Sequence, residues 1–117
     1  MLINNKLKDL IEKNAMSLAT VSYRSPHVIG VAFVKIISKN QILVTNNCMN
    51  VTINNLKKNN NVALAVWDKD WNGYQMLGTA KYFTSGKWMD FVKKMPENKN
   101  EKPKGAILIT INKIKKT

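Results

Sequence analysis

Between Met16 and Asn46 the chain offers three β-rich runs whose connections are too short to hold a helix. Parallel neighbours need a crossover of a dozen or more residues, so this spacing argues against a parallel, doubly wound sheet. Met16 to Tyr23 is the first run, and Arg24-Ser25-Pro26 turns the chain. His27 to Ser38, dense in Val, Ile and Phe, reads as one long strand buried on both sides. Lys39-Asn40 makes a hairpin turn, and Gln41 to Asn46 returns as the partner strand.

The remainder keeps this character. Ile3, Leu7, Leu10 and Ile11 recur at helical intervals behind Asn4 or Asn5 as a cap, which predicts a helix over 4–14. Met49, Ile53 and Leu56 place a short helix over 50–59, ended by Asn59-Asn60-Asn61. Val62 to Trp67 and Tyr74 to Thr84, which contains Gly78, are further strands. Trp88, Phe91, Val92 and Met95 form the apolar face of a third helix, with the two aromatics expected in the core. A charged loop from Pro96 to Lys104 leads to a last strand, Ala106 to Ile114. Residues 1–117 therefore read as one mainly β domain: six antiparallel strands, closed into a small barrel to hide their edges, with short flanking helices.

Several function classes drop out. His27 and Cys48 are the sole histidine and cysteine, so one chain supplies neither a His/Cys metal cage nor a disulfide. His27 reads as a strand-end residue, and nothing beside Cys48 in the sequence would activate its thiol. There is no phosphate-binding glycine motif and no Ser-His-Asp set. Met1 to Ile11 lacks the apolar run of a signal peptide, so the cytoplasm is the expected location and no membrane partner is expected. The net charge of +12 is carried almost wholly by scattered lysines, with Arg24 the single arginine. Lysine is a hydrated point charge without arginine's bidentate fork, so a solvated surface suits this pattern better than a polyanion partner. Any demanding chemistry must then come from a bound cofactor.

The most informative stretch is Val44-Thr45-Asn46-Asn47-Cys48-Met49-Asn50-Val51-Thr52. It leaves a strand through small polar residues and enters a helix N-terminus, where free N–H groups and the dipole favour a phosphate. Thr45, Asn46, Asn47, Asn50 and Thr52 offer side-chain hydrogen bonds. The competing reading is that Asn50 and Thr52 only cap the helix.

Ser25-Pro26-His27-Val28, Val44-Thr45-Asn46, Asn55-Leu56 followed by Asn59 to Val62, and Gly78-Thr79-Ala80 occur in an order and spacing that resembles the pyridoxamine 5'-phosphate oxidase-like FMN-binding split barrels, especially their minimal members. The likeness runs from about Leu18 to Ile111. It implies a split barrel, FMN as cofactor, and a homodimer with the flavin at its interface. Gly30, Val31, Ala32, Phe33 and Lys35 would line the ring and ribityl chain, with Val44 and Thr45 supplying backbone and hydroxyl contacts. Asn46, Asn47, Asn50 and Thr52 would hold the phosphate. One departure stands out: the oxidase pattern has Arg-Lys where this chain has Asn50-Val51, which leaves compensation to Lys35, Lys57, Lys58 or a lysine of the other subunit. It also argues against true pyridoxamine phosphate oxidation. Trp67 and Trp71 would either stack on the flavin or lie in the dimer seam.

The resemblance thus implies a flavin-dependent oxidoreductase or electron-transfer protein with an unidentified redox partner. A flavin carrier without turnover is the alternative. A third, a basic barrel that binds nucleic acid, needs Phe33, Tyr74, Tyr82 and Phe83 to form an exposed platform on one sheet face.

Overall fold

The computed structural model describes residues 2–117. Helix α1 (Asn5–Lys13) opens the chain; Asn4 caps it by accepting a 2.8 Å hydrogen bond from the Leu7 amide, and Leu7 and Ile11 are its buried face. Strands β1 (Met16–Ser22), β2 (Ser25–Val31), β3 (Val34–Ser38) and β4 (Gln41–Asn46) follow. Helix α2 (Val51–Lys58) leads to β5 (Asn61–Trp67) and β6 (Gly73–Phe83). Helix α3 (Lys87–Lys94), a 3-10 turn (Pro96–Asn98) and β7 (Gly105–Lys116) complete the fold.

All pairings are antiparallel, and the strand order is β2-β1-β5-β6-β7-β4-β3. There are seven strands rather than the expected six, because the 27–38 run is broken. Ala32 and Phe33 leave the ladder: the Val34 amide bonds back to the Ala32 carbonyl (3.2 Å) and the Phe33 carbonyl accepts from Thr45 N (3.1 Å). Nor is the run buried on both sides. Exposed positions alternate with sheltered ones along β2, as expected when one face of an edge strand meets solvent. The expected closure also fails. β2 and β3 are the two edges of the sheet, and only Ala32 and Phe33 join them, so the sheet curls until its ends adjoin in sequence but no ladder seals the gap. The barrel is split, and both free edges lie at the split.

The larger core fills the curl, with Leu18, Ile42, Leu64, Met76 and Ile109 among its fully buried side chains. Helix α2 is fastened against it by Asn55, whose Nδ2 donates to Thr20 Oγ1 at 3.0 Å, both residues being buried. A second cluster lies under α3, where Met89, Val92 and Met95 cover Leu43, Ala106 and Leu108. This cover explains why β4 and β7 are buried on both faces along most of their length. It also corrects the expected helix face. Trp88 is half-buried and Phe91 exposed, and the two rings tilt together at the rim with centroids 6.5 Å apart. The methionines, unbranched and adaptable, take the core instead.

The Asp68–Asn72 loop is organised by Asp68, which accepts from the amides of Asp70 (2.8 Å) and Asn72 (3.0 Å). Burial works to raise its pKa, but the hydrogen bonds from the Asn72 side chain and from the two amides together hold it below the usual value. Trp71, in the left-handed region at φ 66, stacks on Trp67 with centroids 6.1 Å apart.

Candidate functional site

A cleft of about 630 Å³ opens beside the split, a size ordinary for small-molecule sites. One wall is the end of β2 with the Ala32-Phe33 break. The other is the turn from β4 into α2, and the loop before β7 contributes Glu101.

The β4–α2 turn is built around Asn46. Its Oδ1 accepts from the Met49 amide at 2.7 Å, its Nδ2 donates to the Tyr82 hydroxyl at 2.8 Å, and its carbonyl accepts from Lys104 N at 2.8 Å. Tyr82 in turn lies flat against Gly105, where a β-carbon would run into its ring and hydroxyl. Asn46 is thus a support behind the cleft rather than part of its wall. Thr45 is similar in its hydroxyl, which accepts from the buried Asn98 Nδ2 at 3.0 Å, although the residue does line the cleft.

Of the residues expected to hold a ligand, Gly30, Val31, Ala32, Phe33, Thr45, Asn47, Asn50 and Thr52 come together around this one space. Three do not. Val44 is fully buried in the main core. Asn46 is engaged as above. Lys35 sits 3.8 Å from Glu12 on another face, beside Phe91 and Met95 rather than at the cleft. His27, Ile29, Cys48, Met49, Val51 and Glu101 also line the cleft, although the sequence reading did not select them. Neither Trp67 nor Trp71 does.

The polar chemistry sits at the start of α2. The first amides of a helix have no intrahelical acceptor, and Asn50, the N-cap residue, makes no side-chain capping bond. The competing reading of Asn50 as a side-chain cap is therefore not met. The Thr52 hydroxyl is buried without a hydrogen-bond partner, as is the Asn47 Oδ1. Buried polar atoms are seldom left so, since an unmade hydrogen bond costs about 1–3 kcal/mol. Two such atoms on the wall of one cleft fit a ligand with hydrogen-bonding groups. Among the described residues no lysine or arginine lines the cleft: Lys57 and Lys58 are in the last turn of α2, and Lys58 lies over the Tyr23 ring.

The family model for pyridoxamine 5'-phosphate oxidase matches residues 3–117. The chain belongs to that family. An uncharacterised protein of Methanocaldococcus jannaschii is 30% identical over 109 residues, which are 89% of this chain and 73% of that protein. Among solved structures, HupZ of Group A Streptococcus superposes with a TM-score of 0.90 at 24% identity, covering 97% of this chain and 93% of that one. An FMN-binding protein of Syntrophomonas wolfei gives 0.83 at 22% identity, covering 94% and 82%. The likeness to these solved structures is one of fold. No helix among the described residues is long and apolar enough to cross a membrane.

Proposed function

We propose that this chain binds FMN in the cleft between β2 and the β4–α2 turn, as a homodimeric redox flavoprotein. One observation carries the reading: the unpartnered Thr52 hydroxyl, buried at the first turn of α2, on the wall of a cleft large enough for a small aromatic ligand. Val31, Phe33 and Ile29 supply apolar cover for a ring. The Asn47 carboxamide and the free amides of α2 supply polar partners at the other end. The flavin, when bound, supplies the electron chemistry; the chain holds the ring, orients it and shields it from water. The family membership and the likeness to a flavin-binding protein support the same ligand.

Thr52→Val tests the site with effects of opposite sign. The isosteric change removes an unsatisfied hydroxyl, so the unliganded protein is expected to gain up to about 1 kcal/mol in urea unfolding, while FMN affinity falls about tenfold. Loss of both stability and affinity would mean that the hydroxyl already has a structural partner.

The second subunit belongs to the proposal because the cleft is flanked by exposed apolar side chains, Val28 at 63% and Val51 at 51% exposure, next to the free edges β2 and β3. A sedimentation mass near twice 13.3 kDa is expected; a monomer at micromolar concentration would remove this part. Turnover with NADPH and an added acceptor separates an enzyme from a carrier. Less supports the nucleic-acid reading: Tyr82 is tied to Asn46, Tyr74 packs against the main core, Phe83 packs with the α3 cluster and Phe33 lines the cleft.

A further inference from the structure

A phosphate at the start of α2 would meet amide and hydroxyl donors, in a cleft whose lining holds one carboxylate, one imidazole and no lysine or arginine. From Asn47 to Thr52 the wall carries two carboxamides, a thiol, a thioether, a valine side chain and a hydroxyl, with no lysine or arginine. Glu101 lines the same cleft, and its loop is fastened there. The Glu101 amide bonds to the Asn98 carbonyl at 3.0 Å, the buried Asn98 side chain bonds to Thr45, and Lys104 N bonds to the Asn46 carbonyl. The nineteen lysine and arginine side chains all lie outside the lining. A phosphate of charge near −2 gains hydrogen bonds here but is opposed by Glu101. A hydroxyl of an uncharged polyol gains the same kind of hydrogen bond with no such opposition. The buried Thr52 hydroxyl, lacking any partner, serves either.

We propose that Glu101 is a specificity-determining residue that cancels the benefit of the flavin's phosphate, so that the chain takes riboflavin about as tightly as FMN. The inference rests on the flavin reading above. It places the selectivity on the loop before β7 rather than on the β4–α2 turn alone.

The test is a fluorescence-quenching titration of the full-length protein with FMN and, separately, with riboflavin. In the wild-type chain the two dissociation constants are expected within about threefold of each other. Glu101→Lys is expected to tighten FMN about tenfold, the gain typical of a charge-assisted contact, and to leave riboflavin within about twofold. Asp9→Lys on α1, outside the cleft, raises the net charge by the same amount and is expected to move neither ligand. FMN binding more than about tenfold tighter than riboflavin in the wild type would overturn the inference and leave the flavin reading standing. Equal tightening of FMN by both variants would also overturn it, as an effect of net charge alone. Failure of both flavins to bind would remove the flavin reading and this inference with it.

Discussion

Replacing Gly30 with tryptophan is expected to weaken flavin binding severely while leaving the fold intact. Gly30 lies in β2 on the cleft wall, exposed, and a β-carbon built there meets no atom within 4 Å. The new β-carbon therefore displaces no protein atom, and an aromatic residue suits a strand better than glycine does. Stability is expected to change by no more than about 0.5 kcal/mol, as for other surface positions. The indole occupies space that a bound ring needs. Overfilling a site of this kind costs up to about 3 kcal/mol, which is about a hundredfold in affinity. Ala32→Trp, two residues along the same wall, is expected to act likewise. Flavin titration and urea unfolding on the same preparations check both halves. Undiminished affinity in the two variants would place the ligand elsewhere.

Gly78→Ala is expected to have the reverse profile, a large loss of stability from a position outside the cleft. Gly78 sits in β6 where the register with β7 shifts between Leu77 and Gly78. A β-carbon there would collide with the Thr110 carbonyl and stand 3.2 Å from the Ile111 Cα. These are backbone atoms of the neighbouring strand, so no rotamer change relieves the overlap. Either the longest ladder of the sheet opens locally or the bulge moves, and the cost is about 3 kcal/mol or more. For a domain of this length the melting temperature is expected to fall by about 10 °C. A fall of less than about 3 °C would mean that the two strands separate without penalty. The contrast with Gly30 is the useful part: the same residue type leaves room for a ligand at one site and for a backbone at the other.

Much of the fold was legible because its strands are short, apolar and separated by polar turns. β1, β4, β5, β6, β7 and the α2 position all follow from such runs. The break at Ala32-Phe33 was not, since neither residue is a turn former and the apolar density of 27–38 runs straight through it. At the break the chain changes partner, Val31 standing opposite Met16 of β1 and Val34 opposite Val44 of β4, and local pattern does not encode such a long-range switch. The orientation of α3 escapes local pattern for a related reason. Trp88 and Phe91 are the most apolar-looking side chains, but the helix turns Met89 and Val92 inward, against β4 and β7.

The candidate site divides in the same way. Its β4–α2 turn was visible as a polar interruption between a strand and a helix, and Asn47, Asn50 and Thr52 do lie around the cleft. Asn46 and Thr45 carry the same residue chemistry, yet their side chains are committed to Tyr82 and Asn98, partners far away in sequence. The resemblance puts Lys35 on the strand that lines the ring, but it lies in β3 beyond the break, where its side chain reaches Glu12. Glu101 had no signal at all. It reaches the cleft because its loop is fastened to the end of β4, and no spacing in the chain announces that.

The most direct measurement is a titration of the purified protein with FMN, followed by the flavin's visible bands and the quenching of its fluorescence. Saturable binding of one flavin per chain is expected, with a dissociation constant in the micromolar range rather than the nanomolar, because no cation meets the phosphate. A colourless protein whose addition leaves the flavin spectrum and fluorescence unchanged at up to about 100 µM would contradict the flavin assignment.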